Sequence, residues 1–138
     1  MAQEKILIID DDADFCQTSR LVLEKAGFEV AEAPDPESGL AKVQAEKPGL
    51  VILDVLMPSQ FEGFEVARKI REELGMKTLP ILMLSAVHDV KKTAYRFEPD
   101  QTYLPVQAFL DKPVPPETLV RKVREMLGIQ RETIEEPL

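Results

Sequence analysis

The feature that most constrains this chain is a rhythm of short apolar runs, each followed by a stretch with helical spacing. Lys5-Ile6-Leu7-Ile8-Ile9 is rich in β-branched residues and uninterrupted, the pattern of a strand buried on both faces. Phe15, Ser19, Val22, Leu23 and Ala26 then fall on one helical stripe, which Gly27 ends. Phe28 to Ala31 predicts a short second strand. Pro34-Asp35-Pro36 is a turn and a helix start. That helix should run to about Glu46, with Leu40 and Val43 inward, until Lys47-Pro48-Gly49 breaks it. Leu50-Val51-Ile52-Leu53 predicts a third strand ending at Asp54. Met57 to Gly63 reads as a loop, and Val66, Ala67, Ile70 and Leu74 mark a third helix closed by Gly75. Ile81-Leu82-Met83-Leu84 is a fourth strand leading to Ser85, and Asp89 to Phe97 has helical character that stops before Pro99. Gln107 to Leu110 is a fifth strand ending at Asp111-Lys112-Pro113. Leu119, Val120, Val123 and Leu127 mark a last helix, with Gly128 after it.

Strand alternating with helix in this way predicts an α/β fold, because parallel strands need crossover connections and helices supply them. Ligands of such sheets sit beyond the carboxyl ends of the strands. Those ends carry Asp10 and Asp11, then Asp54, Ser85 and Lys112. Three carboxylates, a hydroxyl and an ammonium should therefore meet on one rim. Two carboxylates about 5 Å apart repel by roughly 3 kcal/mol at an effective dielectric near 20. A hard divalent cation removes that repulsion, and oxygen ligands with partial hydration suit Mg²⁺ better than zinc. Three carboxylates, one such cation and Lys112 sum to zero charge. The result is a neutral pocket with an exposed carboxylate, able to take on a phosphoryl group. Asp12 reads as the N-cap of the first helix rather than a further ligand.

Composition narrows the function classes. A net charge of −8 argues against a general nucleic-acid binder. No apolar run approaches the roughly 20 residues of a membrane span, and the N-terminus has no signal-peptide core, so a cytoplasmic protein is expected. One cysteine, Cys16, excludes an internal disulfide and fits a reducing compartment. Cys16 reads as core filler, His88 as a solvated loop residue, and the tail residues Glu132, Glu135 and Glu136 as solvated charge. Tyr95, Phe97 and Tyr103 form either a partner patch or packing under a long loop.

Four segments, KILIIDDDADF, LVILDVLMPSQFEGFEV, PILMLSA and FLDKPV, occur in order, each at a strand end. In them the chain resembles the receiver domains of bacterial two-component response regulators, over about residues 4 to 127. The resemblance implies a flavodoxin-like, doubly wound (βα)₅ fold with a five-stranded parallel sheet in the order 2-1-3-4-5. It implies Asp54 as the phosphoacceptor. Asp11 would be a direct metal ligand, Asp10 a ligand mainly through water, and the backbone carbonyl of Leu56 would complete the protein's share. Ser85 and Lys112 would contact the phosphoryl oxygens, and Phe109 matches the switch aromatic, although its residue type also suits plain core. The implied donor is a sensor histidine kinase or phosphotransfer protein, the cofactor is Mg²⁺, and the downstream target is an unidentified protein. Such a chain is a signalling phosphoacceptor, not an enzyme in the ordinary sense, and is expected to be a monomer or weak dimer without direct nucleic-acid or membrane binding. Leu56 and Val87, two residues beyond Asp54 and Ser85, flank the route of attacking water. Both are apolar, so neither can orient it.

Two departures from the family pattern stand out. The loop from Met57 to Gly63 is about one residue longer than usual and carries Glu62 where Asp is common. The separation of Ser85 from Lys112 exceeds the usual one, and the common Gly-Ala-Asp stretch is replaced by Tyr103-Leu104-Pro105-Val106-Gln107-Ala108. The first departure falls on the metal-side loop and leaves the site in place; the second falls on the expected output face, so a receiver-like interaction module working without phosphorylation is the alternative function. An aspartate-nucleophile hydrolase would need an acid two residues after Asp54, where this chain has Leu56. A flavin carrier would need a phosphate-binding loop where Asp10 to Asp12 stand. Residues 4–128 are expected to form the receiver domain and 129–138 an acidic tail too short for an effector domain. A stand-alone regulator, a relay intermediate and a piece of a longer protein all fit that division.

Overall fold

The computed structural model describes residues 4–54, 62–85, 108–111 and 114–128. Five strands and four helices lie within them. In chain order they are β1 (Lys5–Ile9), α1 (Ala13–Lys25), β2 (Glu29–Ala33), α2 (Pro36–Glu46), β3 (Leu50–Asp54), α3 (Glu62–Glu72), β4 (Ile81–Ser85), β5 (Ala108–Asp111) and α4 (Pro116–Leu127). The strands form one parallel sheet in the order β2-β1-β3-β4-β5, as expected. The helix expected at Asp89 to Phe97 and the tail lie outside the described residues.

The apolar runs are continuous because the sheet is covered on both sides. Alternate side chains of a strand point to opposite faces. Leu7, Ile9, Val51, Leu53, Ile81 and Met83 pack with Val43 of α2 and Val66, Ala67 and Ile70 of α3. Ile6, Ile8, Leu50, Ile52, Leu82 and Leu84 pack with Cys16 and Leu23 of α1 and Leu119 and Val123 of α4. Each helix therefore needs only one apolar stripe, while the inner strands need none of the polar alternation of a one-sided sheet. Gly39 lets α2 approach β1. A Cβ there would stand 2.7 Å from Ile9 Cδ1 and 2.9 Å from Ile9 Cγ1 and Cγ2.

The boundaries of β2, α3 and β5 differ from the sequence reading, β5 spanning Ala108–Asp111 rather than Gln107 to Leu110. β2 spans Glu29–Ala33 rather than Phe28 to Ala31, because it pairs with β1 residue for residue from Lys5–Glu29 to Ile9–Ala33. Long-range pairing, not local composition, sets its ends. α3 begins at Glu62, inside the stretch read as a loop. An acidic residue type suits the positive end of a helix, so Glu62 fits there.

The starts of α1 and α2 are fixed by side chains. Asp12 accepts a hydrogen bond from Phe15 N at 3.1 Å, and Asp35 from Ser38 N at 2.8 Å, with Pro36 following Asp35. The Ser38 amide, helped by the Ser38 hydroxyl, holds the Asp35 carboxyl below its usual range. A carboxyl whose folded value is depressed adds stability above its unfolded value, and that stability is lost as pH falls through the folded value. Asp35→Ala should therefore lower Tm by roughly 3–5 °C at neutral pH. The gap from wild type should narrow only on acidification below about pH 4, as thermal scans across pH would show.

Candidate functional site

All the strand pairings are parallel, so every strand ends on the same rim. β1 delivers the chain to Asp10 and Asp11, and β3 ends on Asp54. Ile9 lies beside Leu53, so one further step along that register sets Asp10 beside Asp54. The strand order reverses at β1 and β3, which is where an open α/β sheet leaves a crevice. One carboxylate oxygen from each of Asp10, Asp11 and Asp54 lies within 4.8 Å of the others. Asp11 is exposed, whereas Asp10 is only 2% and Asp54 only 4% exposed. The expectation of an open acceptor carboxylate is thus corrected. Asp54 sits at the end of a central strand, paired with Leu84 of β4, and its neighbours cover it.

The turn from β1 into α1 fixes Asp10 at several points. Its amide donates to Ala33 O at 3.0 Å, and its own carbonyl accepts from the Cys16 thiol at 3.4 Å. Its carboxylate Oδ1 accepts from Asp12 N at 2.9 Å. Asp12 carries extended backbone, φ −86° and ψ 102°, and its carbonyl accepts from Cys16 N at 3.0 Å as the helix begins. Cys16 is buried, as expected of core filler, but its bond to Asp10 was not legible. Nothing in the sequence separates a thiol that fills space from one that also donates to a carbonyl.

At 4.8 Å each ionised pair repels by about 3 kcal/mol at an effective dielectric near 20, and burial adds a desolvation cost for Asp10 and Asp54. The donor set consists of carboxylate oxygens, one of them on an exposed residue. That chemistry fits a hard divalent cation retaining part of its water shell, and does not fit the nitrogen and sulfur preference of zinc. Ser85 ends β4, in register with Asp111, and Phe109 lies in β5 beside Met83. Leu56, Val87 and Lys112 lie outside the described residues, as do His88, Tyr95, Phe97 and Tyr103. No helix among the described residues is long and apolar enough to cross a membrane.

A parallel sheet in the order 2-1-3-4-5, with an acidic rim at its strand-order reversal, defines the flavodoxin-like class of α/β domains. Residues 6–124 match the model of the response regulator receiver domain, and the chain belongs to that family. The family consists of signalling phosphoacceptors of two-component systems. The chain is 34% identical over 127 residues to the probable transcriptional regulator ycf27 of Porphyridium aerugineum, covering 92% of this chain and 49% of that protein. It is 36% identical over 128 residues to the "Uncharacterized 14.6 kDa protein in sodA1 3'region" of Leptolyngbya boryana, covering 91% of each. Among solved structures, a putative response regulator from Chloroflexus aurantiacus J-10-fl superposes with a TM-score of 0.79 at 34% identity, over 93% of this chain and all of that one. The chain spans about half the length of the transcriptional regulators it matches.

Repulsion within the acidic group gives a direct expectation. In chelator, Asp11→Asn should raise stability by about 1 kcal/mol at low ionic strength, and added salt should erode the gain. With saturating divalent cation the order should reverse, because the variant has lost a ligand. Denaturant unfolding under the three conditions measures both effects.

Proposed function

We propose that this chain accepts a phosphoryl group on Asp54 from the phosphohistidine of a sensor histidine kinase or phosphotransfer protein. We propose that the step depends on Mg²⁺ and switches a face that binds a downstream protein. The observation that carries this reading is the convergence of Asp10, Asp11 and Asp54 within 4.8 Å, in a chain of the receiver family. Residues 4–128 would be the receiver domain and 129–138 a tail. The reading is of a cytoplasmic module, monomeric or weakly dimeric, with no nucleic-acid contact of its own.

In the chemistry, an Asp54 carboxylate oxygen attacks phosphorus in line as the phosphorus–nitrogen bond of the donor breaks. The transition state is loose and spreads charge over three equatorial oxygens. β3 supplies orientation, since it holds Asp54 in one direction by pairing on both sides. Asp10, Asp11, Asp54 and the backbone carbonyl of Leu56 would hold Mg²⁺. When bound, the ion supplies positive charge to the phosphoryl oxygens. Lys112 is assigned the matching ammonium and Ser85 a hydroxyl donor to the product's oxygens. The product adds charge and acceptor oxygens where a carboxylate was. Ser85 drawn toward them, with Phe109 filling the space released, would bias an existing two-state equilibrium of the output face.

The alternative is a receiver-like module that binds partners without phosphorylation, and the unusual stretch before β5 is what favours it. Transfer from a panel of phosphorylated histidine kinases, with Asp54→Asn as control, separates the two. Wild type should label with at least one kinase and Asp54→Asn should not; equal labelling of both overturns the assignment. Apolar Leu56 and Val87 should also make the labelled form long-lived with Mg²⁺ present. Loss of the label within seconds would contradict their assigned part.

A further inference from the structure

We infer that Asp12 is a positioning residue of the acidic site. By capping α1 with its side chain, it fixes the backbone amide that holds the Asp10 carboxylate, and so tunes affinity for a divalent cation it does not touch. The inference rests on the Mg²⁺ reading given above.

Asp12 uses its two ends in opposite directions. Its carboxylate Oδ1 accepts from Phe15 N at 3.1 Å, downstream, while its amide donates to Asp10 Oδ1 at 2.9 Å, upstream. The side chain is thus committed to the helix, and Asp12 is not one of the three carboxylates that converge. The surrounding bonds close a loop from residue 10 to residue 16. Cys16 N donates to Asp12 O at 3.0 Å and the Cys16 thiol donates to Asp10 O at 3.4 Å. The first turn of α1 therefore anchors the strand end that carries Asp10. The bond to Oδ1 fixes the torsion of the Asp10 carboxylate, and with it the placement of its oxygens relative to Asp11 and Asp54. Groups that orient a ligand commonly change metal affinity by about 10–100-fold when removed. Releasing the cap loosens such a group without deleting it, so the low end of that range applies.

The chain contains its own control. Asp35 caps α2 by the same chemistry, accepting from Ser38 N at 2.8 Å, but is not one of the converging acids. Asn caps a helix about as well as Asp, whereas Ala does not, and Gly costs little stability at a cap. Charge and capping can therefore be told apart at one position.

The test is calorimetric titration of Mg²⁺ into the metal-free full chain at physiological ionic strength, with thermal unfolding of each variant in chelator. At that ionic strength screening weakens, without removing, the pull of a neighbouring surface charge, and Asp12→Asn measures what remains. Asp12→Asn should bind within about twofold of wild type, and Asp12→Ala and Asp12→Gly about tenfold more weakly. Asp35→Ala should lose Tm comparably to Asp12→Ala while keeping wild-type affinity. The Gly variant keeps the test decisive should the Ala variant fold poorly. Equal weakening in Asp12→Asn and Asp12→Ala would assign the effect to charge and overturn the inference. So would unchanged affinity in Asp12→Gly, or an equal affinity loss in Asp35→Ala. Wild type that fails to bind Mg²⁺ would overturn the site reading and this inference with it, whereas binding unaffected by the Asp12 variants overturns this inference alone.

Discussion

Three carboxylates held within 4.8 Å of one another are the constraint around which the molecule is arranged. Left to themselves they would separate, since each ionised pair is worth about 3 kcal/mol of repulsion at an effective dielectric near 20. The backbone that carries them contributes to holding them together. Asp10 and Asp54 extend from β1 and β3, adjacent strands in fixed parallel register, and both strands are buried on both faces.

The same arrangement explains why α1 is tied down where it begins. A loose strand-to-helix turn would let Asp10 swing away from Asp54. The described turn offers little room for that, since the Asp10 amide, carbonyl and carboxylate are each engaged. The opposite end of the sheet is joined by backbone bonds such as Gly49 N to Lys5 O at 2.8 Å, with ion pairs from Lys5 to Glu46 at 2.6 Å and Glu29 at 3.4 Å on its surface. Pairs of that exposed kind contribute little.

Much of the fold was legible because burial on both faces leaves an unmistakable record. Ile6 to Ile9, Leu50 to Leu53 and Ile81 to Leu84 could not be exposed strands, and each lies where its sequence placed it. The ends of β2 are less legible, because an edge strand of mixed composition carries no sharp boundary and only its pairing with β1 sets them. The start of α3 at Glu62 falls in a stretch, Met57 to Gly63, whose Pro58, Ser59 and Gly63 read as a loop. In the site, Asp10, Asp11 and Asp54 were legible because each follows or ends an apolar run. The burial of Asp54 was not, since burial is a property of neighbours brought in from elsewhere. Nor was the bond from Asp12 N to Asp10, because a backbone amide leaves no mark in a sequence.

The most direct test of the central claim is chemical identification of the acceptor. The protein would be phosphorylated by a small acyl phosphate with Mg²⁺ present and reduced with borohydride, which converts an aspartyl phosphate to homoserine. Peptide mass spectrometry would then locate the product. The account predicts homoserine at position 54, dependent on Mg²⁺. Homoserine at another aspartate, or none under conditions where the protein is folded and binds Mg²⁺, would contradict it.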